Sequence, residues 1–236
     1  MTEHLGPMLA ALPLWYMAFV LSATCHEAAH ALVAYRGGDS TAYLGGQVTL
    51  DPRPHIKREP IGMIALPLVS FFLQHGDWMI GWASAPYNPY WANRYPRRAF
   101  AMSMAGPAAN FALVALFLLI HNILVWQGWT GTPTGAIPFV YEGGQPFVDM
   151  LAGFCLLMVL LNTILGVFNL IPVPPLDGFS VFGILLTREQ YQQVSDFVRQ
   201  WWILGLLVAW HLFGLFFVHV RALFRLFIAR PAMDLG

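Results

Sequence analysis

Apolar residues come in long blocks along this chain, and the polar residues that interrupt the blocks carry most of the information. A bilayer span needs roughly 20 mostly apolar residues. Residues 8–36 meet that length and are broken only by a polar cluster from Ser22 to His30. Residues 99–126 form a clear span, and 147–171 another that ends on Pro172-Val173-Pro174-Pro175. Residues 201–228 are apolar again but carry His211, His219, Arg221 and Arg225, which fits one helix or a hairpin. Between the first two spans the pattern changes. Thr41 to Leu50 has a central Gly45-Gly46 pair with β-type residues on either side, so 41–60 reads as a β-hairpin and loop, closed by Asp51-Pro52-Arg53-Pro54. Residues 61–90 are apolar around a polar trio, Gln74, His75 and Asp77.

Basic residues favour the cytoplasmic side of short loops. Arg36, Arg53, Lys57 and Arg58 follow the first span, Arg94, Arg97 and Arg98 precede the second, and the loop after the second has no Lys or Arg. The two basic groups then share one side. Residues 61–90 then enter and return, as a re-entrant hairpin or a pair of short helices turning at the polar trio, with a simple span as the alternative. Non-helical backbone at that depth is tolerated only under protein cover or beside a water-filled cavity.

Composition narrows the class. Of 236 residues, 58% are apolar and 10% charged, with 12 basic and 12 acidic residues in balance. Soluble domains average about 45–50% apolar and about 25% charged. So little charge, with no net charge, excludes an ordinary soluble domain. It also excludes a disordered chain. The missing basic excess argues against nucleic acid as a partner. The expectation is one membrane-embedded domain over 1–236, without a removable signal peptide, and with Cys25 and Cys155 as buried thiols.

The polar cluster of the first span contains His26-Glu27-Ala28-Ala29-His30. On a helix, positions i and i+4 share a face, so both imidazoles can meet one ion. Glu27 stands beside them as a general base for water activated by that ion. Ionisable groups inside a span each cost about 2.5–3.5 kcal/mol on insertion scales, and a metal gives three of them a reason to be there. A catalytic zinc takes three protein ligands and keeps an open position. Asp177 is the best third ligand: it follows the third span, after a proline-stiffened turn and before Gly178. A helix N-cap is its alternative role. Glu142 and Asp149 are weaker rivals, since they flank the loop on the opposite side. Asn110 and Asn169 are lone amides at or inside spans, suited either to substrate binding and oxyanion support or to helix–helix hydrogen bonding.

Three elements in order carry a resemblance: His26-Glu27-Ala28-Ala29-His30, Ala105-Gly106-Pro107-Ala108-Ala109-Asn110, and Asn169-Leu170-Ile171-Pro172 through Pro175-Leu176-Asp177-Gly178. Over about Leu21 to Leu186 the chain resembles the site-2 protease family of intramembrane zinc metalloproteases. Gly81-Trp82-Ala83 with Asn88-Pro89 resembles its compact prokaryotic branch, without PDZ or CBS modules. Phe179 departs from the Gly or Ser of many relatives, at a position that is not a ligand. The resemblance implies a three-helix catalytic core and a membrane-associated β-hairpin; with the spans and the re-entrant segment read from the charges, the expected fold class is an all-α polytopic membrane protein. The resemblance also implies one zinc ion held by His26, His30 and Asp177, with Glu27 catalytic and Asn110 and Asn169 near the site. The site would lie nearer the cytosol, in a prokaryotic cytoplasmic membrane.

The activity so implied is zinc-dependent hydrolysis of peptide bonds in or near the transmembrane segments of single-span substrates. It would serve regulated intramembrane proteolysis or the clearance of remnant signal peptides. Thr41–Leu50 would offer a strand edge to an unwound substrate, or merely connect. A homo-oligomer is compatible with all of this. Three alternatives stand beside it: a membrane metal-ion transporter, a non-catalytic binding protein of the same fold, and a surface-acting metallopeptidase with a glutamate as third ligand.

Overall fold

The computed structural model describes residues 5–134 and 140–201, together with 204, 205, 207 and 211. Among the described residues, three helices are long and apolar enough to cross a membrane: α1 (Leu5–Arg36), α6 (Pro96–Trp126) and α7 (Pro146–Asn169). With the apolar composition they make this an integral membrane protein. Short helices lie between α1 and α6: α2 (Thr41–Leu44), α3 (Pro52–Arg58), α4 (Leu66–Leu73, entered through a π-helical turn, Ile61–Ala65) and α5 (Pro89–Arg94). Strands β1 (Thr132–Thr134) and β2 (Val140–Glu142) precede α7, and α8 (Asp177–Gly183) and α9 (Arg188–Gln200) follow it.

α1 buries Trp15, Phe19, Ser22, His26, His30 and Ala34, a row at helical spacing that is polar where it faces the centre of the bundle. Small neighbours, Ala18, Ala23 and Ala31, let the facing helices approach closely. α6 answers with Met102, Ser103, Gly106, Asn110 and Val114. α7 is the most enclosed of the three: 67% of its most apolar window is buried, against 33% for α1 and 28% for α6. The main core joins Trp15, Phe19, Met63, Phe71, Leu157, Met158 and Leu161, so α1, α4 and α7 share it.

The ends of these helices are tied down by specific residues. α1 stops at Gly37-Gly38, where Gly38 takes a positive φ of 96° that favours glycine. The Gly37 carbonyl accepts from Trp91 Nε1 and from Arg98 Nη1, both at 2.9 Å, which places a cation at the negative end of the helix. At the start of α7, Asp149 accepts from the N–H groups of Gly131 and Gly144 and pins the loop that carries β1 and β2.

Residues 61–90 do double back. The chain runs out along Ile61–Leu73, turns at Gln74 to Asp77 with positive φ at His75 and Gly76, and returns extended rather than helical. Gln74, His75 and Asp77 sit at this turn. Ile80 N–H donates to Ser70 Oγ and Trp82 N–H to the Gly62 carbonyl, so the return strip is laced to the outgoing helix.

The β-hairpin lies elsewhere than expected. Residues 41–60 contain no strand: Thr41–Leu44 form a helical turn and Pro52–Arg58 a short helix. Asp51 caps α3 and Pro52 takes its first turn, so the Asp-Pro pair begins a helix where a break was expected. The Thr41–Leu50 strand edge is therefore not formed. The antiparallel pair is instead β1 with β2, Thr132 opposite Glu142, beyond the far end of α6. The apolar stretch 201–228 lies outside the described residues apart from 201, 204, 205, 207 and 211.

Candidate metal centre

The HExxH motif occupies the last third of α1, where His26, Glu27 and His30 are all buried. One turn of helix brings the two imidazoles together, with Nε2 of His26 and Nε2 of His30 2.9 Å apart. After α7 the chain stops its helix at Leu170, passes the Pro172–Pro175 turn and begins α8 at Asp177. Gly178 permits this return, because a side chain there would strike the main-chain oxygens of Leu170 and Ile171. Asp177 is thereby delivered to the histidines. Its Oδ2 lies 3.1 Å from His26 Nε2 and 3.2 Å from His30 Nε2. Leu176, not Asp177, occupies the N-cap of α8.

These three residues can hold a metal ion, since their donor atoms all lie within 4.8 Å of one another. Their hydrogen bonds say what kind. His30 Nδ1 faces the Met102 carbonyl at 2.7 Å and His26 Nδ1 faces Asn110 Oδ1, so each Nδ1 carries the ring hydrogen and donates it. In a neutral imidazole the other nitrogen is then a bare lone pair. With both rings neutral, two such lone pairs and a carboxylate oxygen meet with no donor among them, an arrangement that a cation between them satisfies. Zinc bonds of about 2.0–2.1 Å at tetrahedral angles hold donors roughly 3.3 Å apart, close to the spacing seen. Imidazole, imidazole and carboxylate is also a donor set that catalytic zinc uses. The residues fit the metal.

Gly106 of α6 forms the floor. A Cβ at that position would run into Nε2 of both histidines. Next to it, Pro107 has no N–H for the Ser103 carbonyl. A cavity of about 260 Å³ opens over the donors, lined by Glu27, Asn169, Ser180 and the return strip Ala83 to Tyr87. Extended backbone therefore does lie beside the site, but it comes from the return strip.

Asp39 anchors that strip. Its buried carboxylate accepts from Thr41 N–H at 3.0 Å, from the Thr41 hydroxyl and from Asn88 N–H at 2.7 Å. Burial pushes its pKa up, but these hydrogen bonds outweigh burial and hold it below the usual carboxylate value. A lowered folded-state pKa means stability present above the ordinary carboxylate pKa and lost as pH falls through the folded value. Asp39→Ala is therefore expected to cost about 1–3 kcal/mol at neutral pH while leaving metal content unchanged. Melting curves at neutral and acid pH check this: the gap from the unsubstituted protein should close on acidification.

The two asparagines expected near the site separate. Asn169 lines the cavity, its Nδ2 donating to the Leu165 carbonyl at 2.9 Å. Asn110 is fully buried behind His26, with its Nδ2 engaged by Asn162 at 2.8 Å. Sequence reasoning missed Asn162. The signal was the same one that singled out Asn110, a lone amide inside a span. Glu142 and Asp149 lie at the β-hairpin end, away from the histidines. His55 is buried against Gln47 and the Thr49 carbonyl, and His75 is in the turn.

The family model described as "Peptidase family M50" matches residues 15–212. The chain is 32% identical over 181 residues to "Putative zinc metalloprotease YwhC" of Bacillus subtilis (strain 168), spanning 75% of this chain and 71% of that one. It is 32% identical over 190 residues to "Putative zinc metalloprotease Rip2" of Mycobacterium tuberculosis (strain ATCC 25618 / H37Rv), spanning 80% of this chain and 63% of that one. Against the Rip2 of Mycolicibacterium smegmatis it is 27% identical over 206 residues, spanning 87% and 68%. No solved structure matches the chain. With its paired histidines and aspartate set among apolar helices, the chain belongs to peptidase family M50, the site-2 protease family of zinc metalloproteases.

Proposed function

We propose that this protein is an intramembrane endopeptidase that cuts peptide bonds in or near the transmembrane segments of single-span membrane proteins. The observation that carries the reading is the depth of the metal centre within the helices. His26 and His30 precede the basic end of α1, Arg36, by ten and six residues. At 1.5 Å per residue that is about 9–15 Å below the helix end. Arg97 and Arg98 mark the same end on α6. Basic ends favour the cytosol, so the site belongs nearer that face of a cytoplasmic membrane.

His26, His30 and Asp177 would hold the zinc. Bound there, it would supply a Lewis acid that lowers the pKa of a water to about 7 and polarises a carbonyl. Glu27, buried at the cavity wall, takes the proton of the attacking water and passes it to the leaving amine. Asn169, at the cavity rim, is placed to bind the substrate chain. Burial of the site limits bulk water to what the cavity admits. A helical substrate must unwind first, because its carbonyls are already bonded within its own helix. The extended strip Ala83–Tyr87 beside the donors offers backbone to a segment so unwound.

The test compares wild type with Glu27→Gln in detergent. Both should hold about one zinc per chain, since Glu27 is not a ligand. Only wild type should cut a panel of single-span substrates, and the glutamine variant should lose at least about a hundredfold in rate, the low end for a general base. Cleavage by Glu27→Gln at the wild-type rate would remove the assigned base. Absence of zinc from both proteins would remove the metal centre itself.

A further inference from the structure

Ser22 on α1 and Asn162 on α7 line no part of the cavity, yet an unbroken row of hydrogen bonds joins them to the metal centre. Both are fully buried, at 0% exposure. Asn162 Nδ2 donates to the Met158 carbonyl and to Ser22 Oγ, each at 2.8 Å. Ser22 Oγ donates onward to the Ala18 carbonyl at 2.7 Å. A main-chain carbonyl only accepts, so both ends of this pair have a fixed polarity. The NH₂ of Asn162 must lie toward Met158 and Ser22, and its Oδ1 toward α6. There Oδ1 accepts from Asn110 Nδ2 at 2.8 Å. With its NH₂ so used, Asn110 turns its own Oδ1 to His26 Nδ1.

The direction of this row matters because an amide is nearly the same shape either way round. Reversed, Asn110 would present NH₂ to His26 Nδ1, and the ring hydrogen would move to Nε2, the atom that faces His30 and Asp177. Nothing in Asn110 itself chooses between the two. We propose that Asn162, held by the Met158 carbonyl and by Ser22, is a positioning residue that sets the amide direction of Asn110 and so keeps the His26 Nε2 lone pair on the metal. This rests on the zinc reading above and extends it to residues on α7 and α1 that touch neither metal nor cavity.

The test measures zinc affinity by chelator competition in folded protein, without reference to cleavage. Removing a partner behind a ligating histidine typically costs 10–100-fold in metal affinity. Asn162→Leu is expected to lose about tenfold or more. Thr163→Val is the control: Thr163 is the next residue of α7, also buried, and among the described residues its hydroxyl bonds only the Val159 carbonyl. It should bind zinc as wild type does. The deciding measurement repeats Asn162→Leu in an Asn110→Asp background. A carboxylate accepts from His26 whichever way it turns, so the anchor is no longer needed. The effect of Asn162→Leu should shrink to within about twofold, the scatter of uncoupled sites.

An equal loss in both backgrounds, or none in the first, overturns the proposal while the zinc reading stands. A wild type that binds no zinc overturns both. Should a variant fail to fold, nitrogen NMR of histidine-labelled, metal-free wild type decides the matter. Hydrogen on His26 Nδ1 supports the proposal, and hydrogen on Nε2 or an exchanging mixture of tautomers overturns it.

Discussion

Alanine at position 177 is expected to empty the metal centre while leaving the helical bundle standing. Asp177 supplies the carboxylate among the three converging donors and reaches the bundle through His26 and His30. Without it, two imidazoles remain, fewer than the three protein ligands that catalytic zinc keeps. A bound metal contributes several kcal/mol to hydrolysis, so cleavage should fall by at least about a thousandfold. The fold should lose little, because the residue sits in the first turn of α8, where an acidic group contributes about 0.3–1 kcal/mol. Zinc content and a thermal melt on the same sample separate the two effects. One zinc per chain retained in Asp177→Ala would mean that another carboxylate completes the site, as in a metallopeptidase with a glutamate ligand.

Gly106→Ala is expected to destroy metal binding by adding a single methyl group. The methyl would overlap Nε2 of both histidines, the atoms that must face the metal. Neither ring can swing away cheaply, because Nδ1 of His30 is bonded to the Met102 carbonyl and Nδ1 of His26 to Asn110. Zinc affinity should fall at least about a hundredfold, the upper end for disturbing a partner one step removed from the metal. Stability moves differently. Alanine favours a helix over glycine by about 1 kcal/mol, against about 1–3 kcal/mol for overpacking, so the metal-free melting temperature should shift by only a few degrees. Chelator competition alongside melting of metal-free protein checks both. Wild-type affinity in Gly106→Ala would show that the ligand nitrogens do not face the floor of α6.

Much of this molecule was legible along the chain because the bilayer imposes rules that act on local sequence. Residues 8–36, 99–126 and 147–171 had to be helices, since an apolar run that long cannot leave backbone groups unbonded in hydrocarbon. The His-Glu-x-x-His spacing is equally local, because one turn of helix brings His26 to His30. The turn in 61–90 was visible from Gln74, His75 and Asp77, polar residues with no other reason to interrupt an apolar run. The hairpin expected at 41–60 was misplaced. Gly45-Gly46 and the flanking β-type residues gave a weak local preference, and Asp51 and Pro52 are as good at starting a helix as at ending a strand. In so short a stretch, contacts with α1 and the return strip decide. Gln47 Nε2 bonds the Ser84 carbonyl, and Asp39 bonds Asn88 N–H.

By itself, the sequence determined the class of protein, the three long helices, the paired histidines with their glutamate, and Asp177 as the candidate to join them. Each is a matter of residue type at short spacing. Only the tertiary structure decided which polar groups face one another across helices. It joined His26 to Asp177 across 151 positions and Ser22 to Asn162 across 140. It also placed Asn110 behind the ligand rather than in the cavity, and made Gly106 a floor rather than a mere helix glycine. Periodicity says which side of a helix is inward but not what it meets there. The direction of a hydrogen bond depends on whether its neighbour is a carbonyl or an N–H, and that is settled when α1, α6 and α7 are packed together.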